Sequence, residues 1–404
     1  MNILCISKYA SPPKYGVAAR LFYLAKEMVK EGHSVTLMTS DSNHLAKYPS
    51  IEEKSYWENI DDVDVIWFKN RKYQKTASVS RILSWFSFEF SLFSFPKAKL
   101  NKPDIIIVSS LSLFSAIYGY YLQRFFKVPL VFEVRDIWPL TLTAEGGFSK
   151  WHPLTIFMGL VEKFAYKRSD LIVGTMPRLD LHVRNVLGYS RECFCSPLGF
   201  DSQVMASRST SIYSDLKLYF PSNKTIIGYA GSMGISNNLG AFIDVIDELQ
   251  HESSLHFVLV GAGDLRDKYE ARLSGYSNVT FIPRVSPEMV PAFLNECDVL
   301  YLSTHDSEVW DYGQSMNKVV EYMYAAKPII ASYSGYPSMI DESDSGVFVP
   351  ANDKVMLKAE LLKVSKMDAS ELEAIGKKGR NWILKHRDYS VLAKEYLDCL
   401  EKLL

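Results

Sequence analysis

The chain has 404 residues, too many for one ordinary hydrophobic core, so two domains are expected. Its 45 Lys and Arg residues are balanced by 46 Asp and Glu, and 48% of it is hydrophobic. This is the composition of a folded globular protein and excludes the basic excess of a general nucleic-acid binder. The apolar run after Met1 is too short for a signal peptide, and no segment offers about 18 uninterrupted apolar residues for a membrane span. A cytoplasmic location is therefore expected, with the inner face of the plasma membrane as a peripheral one.

Short runs rich in Val, Ile and Leu alternate with helical patterns through both halves. They fall at 3–7, 34–39, 64–68, 104–109, 130–134 and 170–174, then at 225–230, 256–260, 279–282, 298–302, 328–332 and 346–349. Runs of this kind are what strands buried on both faces of a parallel sheet look like. The pattern predicts an α/β protein of two facing, doubly wound, Rossmann-like domains, with substrate chemistry beyond the carboxyl ends of the strands in the cleft between them. The boundaries are a first domain at 1–200, a second at 201–385, and a C-terminal helix at 386–404 that crosses back to the first. The break at Ser196-Pro197-Leu198-Gly199 marks the hinge.

In chain order, Gly16 falls between the first strand and the first helix, where a missing side chain lets backbone approach a ligand; an ordinary turn glycine is the alternative. Asp62-Val63-Asp64 has the spacing of a metal-binding pair but precedes a strand rather than ending one, so no metal is expected. In the stretch 78–102, Val79, Ile82, Leu83, Phe86, Phe90 and Phe93 share one helical face, and Trp85, Phe88, Leu92 and Phe95 widen it. Lys69, Arg71, Lys72 and Lys75 precede it, and Lys97, Lys99 and Lys102 follow. Such a helix suits the headgroup region of an anionic bilayer or, alternatively, a domain core.

Further along, Glu133 and Arg135 alternate onto one face of their strand, and Asp136 emerges at its end. Glu133, Arg135 and Asp136 are the catalytic candidates: Asp136 to orient or deprotonate an acceptor hydroxyl and Arg135 to stabilise negative charge on a leaving phosphate, with a structural Arg–Glu or Arg–Asp pair as the alternative. Gly231-Ser232-Met233-Gly234 holds the place of Gly16 in the second half, its backbone amides and Ser232 hydroxyl being candidates, with Asn238, to bind a donor diphosphate, while Asn237 and Asn238 are read as caps of the next helix. Gly261-Ala262-Gly263 begins like a dinucleotide fingerprint, but Arg266 replaces the third glycine.

Finally, in the stretch 314–330 a polar loop runs into a short helix and then a buried strand. Lys318 and Glu321 sit three apart on that helix, whose first amides and dipole favour phosphate. Lysine suits a phosphate and glutamate a pair of sugar hydroxyls, so Asn317, Lys318 and Glu321 read as a site for a nucleotide diphosphate. The five cysteines read as buried or incidental thiols: Cys5 and Cys297 lie in or beside apolar runs, and Cys193 and Cys195 lack zinc-site partners.

Taken with the opening Ser7-Lys8-Tyr9-Ala10-Ser11-Pro12-Pro13-Lys14-Tyr15-Gly16 loop, the 131–139 loop and Tyr229-Ala230-Gly231-Ser232-Met233-Gly234, the Glu321 segment carries a resemblance over nearly the whole length. The chain resembles family-4 retaining glycosyltransferases of the GT-B fold, nearest the subgroup building bacterial O-antigen and capsule repeats, such as N-acetylfucosamine transferases. The resemblance implies a metal-independent transferase. It would move a sugar, with retention, from a UDP-linked donor to a glycan or polyprenyl-diphosphate-linked acceptor, using no cofactor beyond the donor itself. Retention in this family is ascribed to attack from the face of the departing diphosphate, whose oxygen helps take the proton.

The sequence also departs from the wider family. The two basic residues usual near the second glycine loop are replaced by Ser232 and Asn238, which leaves charge compensation to the helix N-terminus, Lys318 and Arg284. The earlier of two family glutamates is replaced by Gly313, and Arg135 stands where many members carry histidine. Two other functions stay open: a nucleotide-sugar 2-epimerase of similar two-domain fold, which would also hold UDP through a carboxylate, or a non-catalytic relative within a polysaccharide-assembly complex, which the missing basic residues allow.

Overall fold

The computed structural model describes residues 1–16, 19–43, 47–73, 79–110, 112–208 and 217–404. Two compact units divide the chain: Met1–Asp201 with Tyr389–Leu404, and Ser202–Asp388.

The first unit holds β1 (Asn2–Ile6), β2 (Ser34–Ser40), β3 (Ser55–Ile60), β4 (Val63–Phe68), β5 (Ile105–Ser109), β6 (Leu130–Val134), β7 (Leu171–Gly174) and β8 (Cys193–Cys195). They form one sheet in the order β3-β4-β2-β1-β5-β6-β7-β8. The second holds β9 (Thr225–Ala230), β10 (Leu255–Val260), β11 (Val279–Ile282), β12 (Val299–Ser303), β13 (Ile329–Ser332) and β14 (Gly346–Val349), in the order β11-β10-β9-β12-β13-β14. All pairings are parallel except β3 with β4. Both sheets reverse winding direction beside their first strand, between β1 and β5 and between β9 and β12. Loops there diverge and leave room for a ligand.

Every apolar run read as a strand is one. Two strands went unread, β3 because an edge strand such as Ser-Tyr-Trp-Glu-Asn-Ile carries no apolar run, and β8 because it is only three residues long. The hairpin β3–β4 gives Asp62 a structural place. Ile60 pairs with Val63, and Asp61 and Asp62 turn the chain at φ +49° and +62°, the left-handed pair a two-residue hairpin requires. Asp64 accepts a hydrogen bond from Asn59 Nδ2 at 2.9 Å. The Asp62–Asp64 spacing is thus hairpin chemistry.

The last helix, Tyr389–Glu401, belongs to the first unit's core. Tyr389, Leu392, Ala393, Tyr396 and Leu400 are buried with Leu21, Phe22, Ala25 and Met28 of the helix Arg20–Lys30, and the Tyr23 and Tyr389 rings stack at 5.2 Å.

The helix Val79–Ser94 divides its apolar residues in two. Trp85, Phe88 and Leu92 face inward and Phe95 beyond it is buried, whereas Val79, Leu83, Phe86, Phe90 and Phe93 are exposed. Lys75 lies outside the described residues. No helix among the described residues is long and apolar enough to cross a membrane.

Candidate functional site

In the second unit, the loops after β9 and β12 and the helix Asn317–Tyr324 converge on one spot. Lys318 Nζ donates to Asn237 Oδ1 at 3.1 Å and to the Tyr229 hydroxyl at 3.2 Å, and it lies 4.4 Å from the Tyr229 ring centre. Burial lowers its pKa to about 8, against the pull of Glu321. Gly231, at φ +155°, makes room for this lysine: a Cβ there would stand 2.8 Å from Nζ.

The loop itself is held from behind. Met233 N–H donates to Ala262 O at 2.9 Å, and a Cβ on Gly261 would come within 1.8 Å of Gly231 O. The Gly261-Ala262-Gly263 segment is therefore a backing for the Gly231–Gly234 loop, which gives the partial fingerprint a packing reason. Ser232 is exposed, and its carbonyl accepts from the Tyr229 hydroxyl at 2.6 Å; Gly234 opens the short turn Ile235–Asn237.

Asn238 departs from the expected helix cap. The helix Gly240–Glu248 begins at Leu239 with no side-chain cap, and Asn238, at φ +46°, donates instead to Thr304 O at 2.8 Å and Asn352 Oδ1 at 3.0 Å. Together with Ser303 Oγ donating to Asn237 O at 2.7 Å, it ties the β9 loop to the β12 loop across the switch point. Asn237 likewise holds Lys318 rather than a helix end.

Asn317 is exposed in the first turn of its helix, where amides lack intrahelical partners. One turn on, Glu321 keeps 36% of its side chain exposed, and its Oε1 lies 3.6 Å from Arg208 Nη1. Burial raises the Glu321 pKa, opposed by Arg208 and Lys318. No sequence signal marked Arg208, which stands outside every motif. Arg284 is exposed two residues beyond the end of β11, the edge strand of the second sheet. Gly313 is buried at φ +101°, a conformation that disfavours any side chain, so its loop is built for glycine.

The remaining candidates lie in the first unit. Gly16 ends the turn Pro13–Tyr15 at φ +138°, its N–H bonded to Pro13 O at 3.0 Å. Glu133, expected among the catalytic residues, is instead enclosed in the first unit. It is fully buried, paired with Arg20 Nη1 at 2.8 Å and accepting from Ser109 Oγ at 3.0 Å. Arg20 also donates to Ser196 O at 2.6 Å and Pro197 O at 3.3 Å, stitching the first helix to the segment read as a hinge. Burial lowers the Arg20 pKa, but the Glu133 charge and hydrogen bond, joined by Tyr389 and Tyr396, together leave the group raised. Glu133 is thus a structural carboxylate whose partner is an arginine the sequence reading left out.

Arg135 and Asp136, by contrast, are half-buried after β6. Arg135 N–H donates to Ser110 Oγ at 3.0 Å, while its Nη1 is buried without a hydrogen-bond partner among the described residues. Burial lowers the Arg135 pKa, reinforced by Arg20, and burial raises that of Asp136, opposed by Arg135. A guanidinium nitrogen lacking a partner beside a carboxyl held above its usual range can receive an anion and a proton respectively.

Two family descriptions match the chain. Residues 15–193 match the glycosyl transferase 4-like domain, and residues 224–366 match glycosyl transferases group 1. The chain is a glycosyltransferase of the GT-B fold. It is 24% identical over 277 residues, 67% of its length and 68% of the relative's, to the 2-deoxystreptamine N-acetyl-D-glucosaminyltransferase of Niallia circulans. It is also 24% identical over 154 residues, 37% of its length and 38% of the relative's, to WcaL of Escherichia coli K12, whose name assigns it provisionally to colanic acid biosynthesis as a glycosyltransferase. The fold of Anabaena Alr3699/HepE, solved in complex with UDP, superposes with a TM-score of 0.67 over all of both chains at 15% identity.

Proposed function

We propose that this glycosyltransferase moves an N-acetylated sugar from UDP to a glycan or polyprenyl-diphosphate-linked acceptor, with retention, in bacterial surface-polysaccharide assembly. One observation carries the donor assignment: Lys318 and Glu321 stand on one helix at the β9–β12 switch point, the lysine against the Gly231 loop and the carboxylate partly open to solvent. The UDP complex of HepE supports the nucleotide, the Niallia enzyme the N-acetylated sugar, and WcaL the polysaccharide setting.

In this reading Lys318, the Gly231–Gly234 amides and the first turn of the helix Asn317–Tyr324 offset the diphosphate charge. Glu321 accepts hydrogen bonds from the ribose hydroxyls. The anomeric C–O bond to the diphosphate breaks as the acceptor oxygen bonds to the same carbon. The acceptor proton passes to Asp136 or to the departing diphosphate, whose negative charge Arg135 receives.

The test is incubation of the purified chain with UDP- and GDP-sugars and a polyprenyl-diphosphate-linked sugar acceptor, with and without EDTA. Expected are UDP release coupled to acceptor extension, a product whose anomeric configuration by NMR is that of the donor, and nearly full activity in chelator. Loss of activity in EDTA with recovery in Mg²⁺ would overturn the metal-free charge compensation. Inverted product would overturn the mechanism.

A further inference from the structure

The exposed stripe of the helix Val79–Ser94 does not stand alone. Phe90 is 75% exposed there, Phe125 is 56% exposed on the helix Ser115–Phe126, and Leu160 is 63% exposed on the helix Pro153–Arg168. Ring contacts make the three faces continuous. Phe93 lies 5.6 Å from Tyr121, Tyr121 6.3 Å from Phe125, and Phe114 is sandwiched by Phe86 at 5.2 Å and Phe157 at 5.4 Å. A joined apolar surface on three helices of one unit is larger than scattered surface residues account for and marks an interaction site.

The charges around it identify the partner. On these three helices every exposed charged side chain is basic: Arg124, Lys163, Lys167 and Arg168. Lys97 sits at the edge with Nζ 5.1 Å from the Tyr121 ring centre, followed by exposed Lys99. The acids on the same helices, Glu89 and Glu162, are buried. The chain as a whole carries a net charge of −1, so this excess is local. A second copy docking here through a two-fold axis would bring basic rim onto basic rim, which is unfavourable. An aromatic face with a basic border matches the headgroup region of an anionic bilayer.

We infer that the joined face of the helices Val79–Ser94, Ser115–Phe126 and Pro153–Arg168 docks the first unit on an anionic lipid bilayer. The surface is mechanically continuous with the candidate acceptor loop, because the buried Trp85 ring lies 6.1 Å from Phe114 and 6.1 Å from Trp138, in the loop carrying Asp136. Docking therefore holds that loop at a fixed depth beside the membrane, where a lipid-linked acceptor presents its sugar. It goes beyond the transfer reaction and holds whichever sugar is moved.

The experiment is sedimentation of the full chain with vesicles of phosphatidylcholine plus phosphatidylglycerol, and of phosphatidylcholine alone, with thermal melting and calorimetric UDP binding as controls. The parent should partition onto the anionic vesicles and far less onto the neutral ones. Phe90→Ser with Leu160→Ser, and separately Lys163→Glu with Lys167→Glu, should each weaken partitioning roughly tenfold or more while UDP affinity stays unchanged. Three results would overturn the inference: no sedimentation of the parent, equal binding to both vesicle types, or a dimer that the apolar variant converts to monomer without vesicle binding. The charge-reversed variant alters only exposed side chains, so it decides the matter even if the apolar one folds poorly. Neither readout depends on sugar transfer, so failure here is separate from failure of the transfer reading.

Discussion

Arg208 Nη1 stands 3.6 Å from Glu321 Oε1, so the carboxylate proposed for the ribose hydroxyls already has a cationic neighbour within its own unit. Both side chains are partly exposed, which limits what the pair contributes to stability to at most about 1 kcal/mol. Its importance lies in keeping Glu321 ionised, since burial alone raises its pKa.

Glu321→Ala is therefore expected to weaken UDP binding by about 2–4 kcal/mol, the scale of charged hydrogen bonds to two hydroxyls, with little change in melting temperature. Arg208→Ala should weaken it by about 1 kcal/mol or less, acting only through the carboxylate. Calorimetric titration with UDP decides; unchanged affinity in Glu321→Ala rejects the donor site.

Lys318 should make donor binding pH-dependent. Its pKa of about 8 in the free protein means the charged form dominates at neutral pH and is lost above it. UDP affinity should then fall as pH rises through 8, by up to about tenfold per unit, and Lys318→Met should flatten the profile at a lower level. Stability moves oppositely: between about 8 and the ordinary 10.5, the unfolded chain holds a proton that the folded one lacks, so this group makes folding more favourable as pH rises.

Asp136 is expected to govern the acidic limb of the rate profile. Burial raises its pKa, so as base it gains effectiveness as pH rises through that raised value, and kcat/KM should climb there and level off. Asp136→Asn should lower kcat by about a hundredfold or more and remove the limb, with UDP affinity intact. A variant with parental rates and the same limb would leave the proton to the departing diphosphate.

Glu133 is expected to matter for stability. Glu133→Ala strands the fully buried Arg20 charge and should cost about 3–5 kcal/mol, whereas Arg20→Met with Glu133→Met should recover much of that loss. Differential scanning calorimetry of the single and double variants checks this. UDP binding, carried by the other unit, should persist at temperatures below the shifted transition.

The periodicity of the chain determined the two doubly wound sheets, because strands buried on both faces must be continuous apolar runs, and those runs survive any detail of packing. It also marked Lys318 and Glu321, since both lie on one helix and three-residue spacing puts them on one face whatever surrounds it. Partners distant in the chain were not legible. Arg20 meets Glu133 and Ser196 only because β1 and β6 flank the same part of one sheet, and Asn238 meets Thr304 and Asn352 only across the β9–β12 switch point. The apolar stripe of Val79–Ser94 was visible in its spacing. Which half faced inward was decided by tertiary packing, because Trp85 and Phe88 found Trp138, Phe114 and Phe68 to pack against while Phe90 found no ring among the described residues. Local spacing is written in the order of residues; the pairing of distant side chains is set by sheet order, which the sequence expresses only once folded.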